Sequence, residues 1–243
     1  MKRVMLMPEK VRRGFVPSDK KEFSSESLAI LRSAQRDIVF LLNRGYGAER
    51  SIRFVGDHYQ LSSRQRMALF RAAASEGSLR ARLSRQQKNS VCSETLHIDG
   101  FNIVIPLEIA LSGGTLLLCM DGTVRDLAGL HGTYRLIDKT DEAINMIGRA
   151  IKKRGAAAAV FYFDSPVSNA GRLAQRVREV LSKFPFSVSA YAEPHVDKVL
   201  SGKSNVVSGD SVIISHCKSW INLTREILAD EIPDYPFADL SKP

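Results

Sequence analysis

"VVSGDSVIIS", residues 206–215, runs two β-branched residues into Ser208-Gly209-Asp210-Ser211 and returns at once to Val212-Ile213-Ile214. An acidic residue between two apolar runs is either a turn residue or the edge of a site, and the neighbouring strands decide which. Four apolar runs end this way. Asp99 closes "TLHI", Asp121 follows "TLLLCM", Asp164 closes "VFYF" and Asp210 follows "VVSG". Aspartate is common in turns and at helix N-caps, so any one of them is ordinary. Four of one type at successive strand ends ask for a shared explanation.

Helical stretches lie between these runs: "PLEIALSGG", "DEAINMIGRAIKKRG" and "NAGRLAQRVREVLSKF". Strands alternating with helices predict an α/β domain over residues 91–243, a parallel sheet with helices on both faces. "FSVSAYAEP", "SWINL" and "TREILADEI" extend the pattern, and the acidic tail "ADEIPDYPFADLSKP" reads as irregular. Ligands of such sheets bind outside the carboxyl ends of the strands, where the strand order reverses. Carboxylates gathered there repel one another unless a cation sits among them. Mg²⁺ and Mn²⁺ take carboxylate and water oxygens. Asp99, Asp121, Asp164 and Asp210 are therefore the expected metal ligands, with Asp210 also capping the helix after it.

Residues 1–90 read differently. An arm over residues 1–23 lacks periodicity and is expected to be loosely held. "SSESLAILRSAQRDIVFLLNRGYG" places Leu28, Leu31, Ile38, Leu41 and Leu42 at helical spacing before Gly45 and Gly47. A second helix is expected to end near Gly56, and a third to follow a Ser62 or Ser63 cap with Met67, Leu69 and Phe70 facing inward. "SLRARLSRQQKNS" reads as a basic linker.

This first region carries 19 Lys and Arg against 8 Asp and Glu, whereas residues 91–243 carry 16 against 18. The imbalance points to a polyanion such as nucleic acid. Arg64, Arg71, Arg82 and Arg85 are the candidate backbone contacts. The alternative is a solvated face, or a packing or homodimerisation element.

Other features bound the function. With 243 residues, 44% of them hydrophobic, the chain can build a substantial core. No apolar run approaches the ~20 residues of a membrane span, and the opening "MKRVMLMPEKVRRGF" lacks the apolar stretch of a secretory signal. Three scattered cysteines suggest neither a zinc site nor a disulfide framework, so a cytoplasmic protein is expected. P-loop and dinucleotide glycine motifs are missing.

"DSPVSNAGR" places Ser165, Ser168, Asn169 and Arg172 around a helix start suited to an anion. The Gly-punctuated "TVRDLAGLHGTYR" is expected to overhang the carboxylates, making Arg125, His131 and Arg135 substrate candidates. Ser208 and Ser211, on either side of Asp210, join them.

"HIDGFN" resembles the first-strand signature of the PIN and NYN nucleases, and "VVSGDSVII" resembles their late Ser/Thr-x-Asp motif. The resemblance spans about residues 93–217. It implies a PIN-like fold and metal-dependent hydrolysis of phosphodiester bonds, usually in RNA, with Mg²⁺ or Mn²⁺. By position it makes Asp99 and Asp210 the first and last acids, Asp164 the intermediate one and Asn102 the polar companion of Asp99. One departure is that PIN proteins often place an acid on a helix between these points, whereas "DEAINMIGRAIKK" offers Glu142 only on its first turn.

The whole chain also resembles an uncharacterised prokaryotic family, domain of unknown function 434 joined to a second such domain. That resemblance implies no activity. A non-catalytic nucleic-acid-binding protein and a small-nucleotide phosphohydrolase are the rival readings.

Overall fold

The computed structural model describes residues 11–129 and 132–243. Five helices come first: α1 (Asp19–Glu22), α2 (Ser25–Asn43), α3 (Ala48–His58), α4 (Ser63–Ala72) and α5 (Glu76–Ser84). Serine caps set three of the starts. Ser24 and Ser75 each accept an N–H three residues on, and Ser62 and Gln65 form a reciprocal capping box. The helix expected to end near Gly56 is α3, which ends at His58, and the Arg66 side chain packs against the space a Cβ at Gly56 would fill. The basic "linker" begins as α5. It has no fully buried residue to give it an apolar period, which hid it from pattern reading.

The chain then alternates: β1 (Thr95–Asp99), α6 (Gly100–Leu111), β2 (Leu116–Leu118), β3 (Val124–Asp126), α7 (Thr140–Lys153), β4 (Ala158–Asp164) and α8 (Ala170–Leu181). It continues with β5 (Ser187–Glu193), α9 (Val196–Leu200), β6 (Val206–Val207), α10 (Ser211–His216), β7 (Trp220–Ile221), α11 (Leu223–Glu231) and β8 (Ala238–Asp239). Five strands pair in parallel in the order β5-β4-β1-β6-β7. Alternation along β4 separates two apolar layers. Phe161 and Phe163 enter the large core that holds buried side chains of α6, α7, α8 and α11, while Tyr162 packs with Val196, Leu200, Ile213 and Ile214. Helices thus cover both faces.

β2 does not join this sheet. It pairs antiparallel with β3 and parallel with β8, so the tail expected to be irregular supplies a strand. Leu117, Cys119, Leu127, Ala238 and Leu240 share one core with Leu31, Ile38, Val55 and Leu69 of the helical region. Sequence divides the chain near residue 90, but this packing crosses that boundary. Gln35 Nε2 donates to the Leu240 carbonyl at 2.9 Å, and Arg32 donates to that of Asp239.

The described part of the arm is not loosely held. Arg13 is buried, with its Nε 2.8 Å from Glu108 Oε2, and buried Asp19 pairs with Arg64. Among the described residues no helix is long and apolar enough to cross a membrane.

Candidate functional site

From β1 the chain builds leftward through β4 and β5, then returns to place β6 on the other side of β1. Strand order therefore reverses between β1 and β6, and the crevice at their carboxyl ends is the favoured ligand position. β1 ends in Asp99, and β6 runs into Ser208-Gly209-Asp210. Ser208 Oγ donates to Asp99 Oδ2 at 2.8 Å and accepts the Asp210 N–H at 2.9 Å. Asn102, in the first turn of α6, donates to the same Asp99 oxygen at 2.7 Å. Asp210 caps α10, accepting the Val212 N–H at 2.6 Å.

Asp164 ends the neighbouring strand β4. Its carboxyl is pushed up by burial, then by the charges of Asp197 and Asp210, against a hydrogen bond from the Val196 backbone. Asp197, on the short helix α9, is raised by burial and by Asp210. Burial pushes Asp99 up to about 7; Asp210 and Asp164 add to the rise, and the Ser208 and Asn102 hydrogen bonds oppose it. The charge of Asp210 thus reaches Asp99, Asp164 and Asp197 at one sheet edge. Sequence reading passed over Asp197 because five-residue α9 has no periodicity of its own.

The carboxylates Asp19, Asp99, Glu108 and Asp121 are buried. Asp19 pairs with Arg64, Glu108 with Arg13, and Asp121 with Arg82 and Arg125. Among the described residues, Asp99 alone of these four has no cationic side chain in a salt bridge. Arg125 lies close enough to feel Asp210, but its guanidinium donates to Asp121, to the Gly209 carbonyl and to Arg71 O. A donor set of carboxylates with hydroxyl and amide groups suits a hard divalent cation. Asp99, Asp164 and Asp210 are the residues that could hold one. Among the described residues, however, no three His, Cys, Asp or Glu side chains already stand as a ligand cage.

Several expected site residues lie elsewhere. Asp121 follows β2, in the separate sheet, where Arg125 Nη2 stands at 2.6 Å and Arg82 Nη1 at 3.0 Å. Burial would raise its carboxyl, but Arg125, Thr123 and Arg82 outweigh burial and hold it low. Asp121 is an internal anion rather than one of the converging acids, and Arg125 is its partner.

Arg64, Arg71 and Arg82 do not form a free basic face either. Arg64 binds Asp19 and Leu127 O, Arg71 binds Asp126 O, and Arg82 binds Ser215 Oγ and Asp121. These guanidiniums tie α4 and α5 to the α/β domain. Half-buried Arg85 turns back onto Ala81 O.

The segment after β3 docks away from the carboxylates. Buried Tyr134 donates to Glu108 at 2.8 Å; Ser168 Oγ accepts the Tyr134 N–H, and Asn169 donates to Tyr134 O at 2.6 Å. Ser168 and Asn169 are therefore latches for a loop, in place of the expected helix-start anion site. With Arg135 they line a separate cavity of about 690 Å³. Ser165 and Arg172 are exposed, and His131 lies outside the described residues. Ser211 instead lines a cavity of about 320 Å³ beside the carboxylates, with Asn102, Asp210 and Arg71.

Fold and site define a parallel α/β protein with a carboxylate cluster at its switch point and an N-terminal helical region packed against a second sheet. The chain belongs to the family described as "Domain of unknown function (DUF5616)", whose pattern matches residues 88–226. Residues 30–85 match "Protein of unknown function (DUF434)", so the two-domain resemblance holds. The chain is 32% identical over 201 residues to "Uncharacterized protein MJ0935" of Methanocaldococcus jannaschii, covering 82% of this chain and 96% of that protein. No solved structure matches the chain.

Proposed function

We propose that the chain is a metal-dependent hydrolase of phosphodiester bonds, acting on RNA, with a PIN-like α/β domain and its site at Asp99, Asp164 and Asp210. One observation carries the reading. Asp99 is buried at the switch point among other carboxylates, while the other buried carboxylates described each have an arginine. Burying uncompensated like charges is costly, and a site that binds a cation recovers that cost. A divalent cation bound there would supply Lewis acidity toward a phosphate oxygen and an activated water. The chain's own part is positional: Ser208 and Asn102 fix the Asp99 oxygen, and the α10 cap fixes Asp210. A cytoplasmic location fits the three free cysteines.

The test is cleavage of single-stranded RNA by purified protein with Mn²⁺. Asp210→Asn should abolish it while leaving the fold intact, and equal cleavage by wild type and variant would refute the assignment. A second reading, a non-catalytic nucleic-acid-binding protein, is favoured by the lack of a ready-made ligand cage among the described residues. Binding of RNA without metal-dependent cleavage would select it.

A further inference from the structure

The cavity beside Asp210 is walled by two different parts of the chain. On one side α4 presents Met67 and Phe70, one helical turn apart, 44% and 49% exposed. The opposite side is polar and leads to the carboxylates through Asp210 and Asn102, whose amide is bonded to Asp99. Pro106, within α6, also lines the space and has no N–H to donate to the Asn102 carbonyl four residues earlier.

Met67 and Phe70 need an explanation. The buried face of α4 is made by Ala68, Leu69 and Ala72, so these two side chains add little to the core. Large apolar groups beside a polar cleft are the usual composition of a ligand pocket, and about 320 Å³ is at the small end of the usual range of roughly 300–1,000 Å³. The size and lining suit a small body with an apolar face toward Met67 and Phe70 and an anionic end toward Arg71 and Arg125.

We propose that this cavity receives the base of a single unpaired nucleotide, stacked on Phe70 and flanked by Met67, with the adjoining phosphate directed to the Asp99–Asp164–Asp210 edge. The inference rests on the phosphodiester reading of that edge and names its substrate class: single-stranded rather than duplex nucleic acid. A paired base is held in its stack and must be unpaired before it can enter a pocket of this size. An aromatic platform takes any base, so the pocket selects for single strands rather than for sequence. The helical region is thereby part of the substrate site, through α4, whose Met67 and Phe70 line the cavity beside Arg71.

The experiment uses the full chain and a single-stranded oligoribonucleotide carrying one 2-aminopurine, whose fluorescence falls when it stacks on an aromatic ring. Wild type should quench the probe on binding. Phe70→Ala should abolish the quench and weaken binding by about 5- to 150-fold, the loss typical of one base–aromatic stack. Phe70→Trp should restore both, which a merely structural role for Phe70 would not allow. Duplex of the same length should bind no better to wild type than to Phe70→Ala. Unchanged affinity in Phe70→Ala, or preferred binding of duplex, would overturn the proposal. Asp164→Asn, outside the cavity, separates the two claims. Quenching retained with Mn²⁺-dependent cleavage lost supports both; cleavage by wild type without any quench sinks the pocket alone. Quenching without cleavage by wild type sinks the hydrolase reading alone.

Discussion

The Ser208 hydroxyl donates to Asp99 Oδ2 across the switch point at 2.8 Å, joining the end of β1 to the loop after β6. Asp99 is otherwise buried, and burial with its acidic neighbours raises its pKa to about 7. In the unfolded chain the same carboxyl titrates near its ordinary value, about 3.9. The folded state therefore binds more protons between these values, and this group's contribution to stability falls as pH rises from about 4 to 7.

Asp99→Asn removes that loss while keeping an oxygen to accept from Ser208 and Asn102. In chelator the variant should be more stable than wild type at pH 8, by on the order of a few kcal/mol, with the gap closing as pH falls below 5. Denaturant melts at the two pH values measure it. A gap independent of pH would mean that Asp99 is ionised throughout.

Asp121 should respond oppositely. It holds the guanidiniums of Arg82 and Arg125, and Arg125 also anchors the Gly209 carbonyl beside Asp210. Asp121→Ala leaves two part-buried cations without their anion and should cost about 3–5 kcal/mol, a loss that Mn²⁺ does not recover. Stabilisation by the substitution, as expected of a metal ligand in chelator, would return Asp121 to the site.

Gly100 opens α6 directly after Asp99. A Cβ there would stand 2.1 Å from Phe163 Cε1, and Phe163 is fully buried. Gly100→Ala should therefore destabilise by about 1–3 kcal/mol through overpacking. Gly100→Ala combined with Phe163→Leu should recover part of the loss; a neutral single variant in thermal melts would show that helix and strand separate freely.

The parallel sheet was legible because β1, β4 and β5 are strand-like runs that alternate with helices, of which α7 and α8 on either side of β4 are amphipathic, a pattern local to each segment. The placement of β2 was not. "LLL" reads alike in either sheet, and of its partners β3 follows at once while β8, on its other side in the sheet, lies about 120 residues on. Asp121 was misassigned with it, since strand-end position predicts convergence only within one sheet. Asp99, Asp164 and Asp210 could be placed at one sheet edge from sequence because Asp99 and Asp164 close strands of the main sheet and Asp210 lies in the loop just after another. The arginines of the helical region misled for another reason: composition records charge but not the carbonyls and carboxylates that each guanidinium meets after folding. Asp197 and the Met67–Phe70 wall depend on distant elements approaching, which no local pattern encodes.

The central claim, that the switch-point carboxylates form a cation site, is tested most directly by Mn²⁺ titration followed by electron paramagnetic resonance, where bound ion leaves the free-ion signal. Wild type should remove Mn²⁺ from the free pool. Asp99→Asn, Asp164→Asn and Asp210→Asn should each weaken that binding at least about tenfold, because even partners of metal ligands cost 10–100-fold; Asp121→Asn should not. An undiminished free-ion signal with folded wild-type protein, or equal affinity in all four variants, would contradict the account.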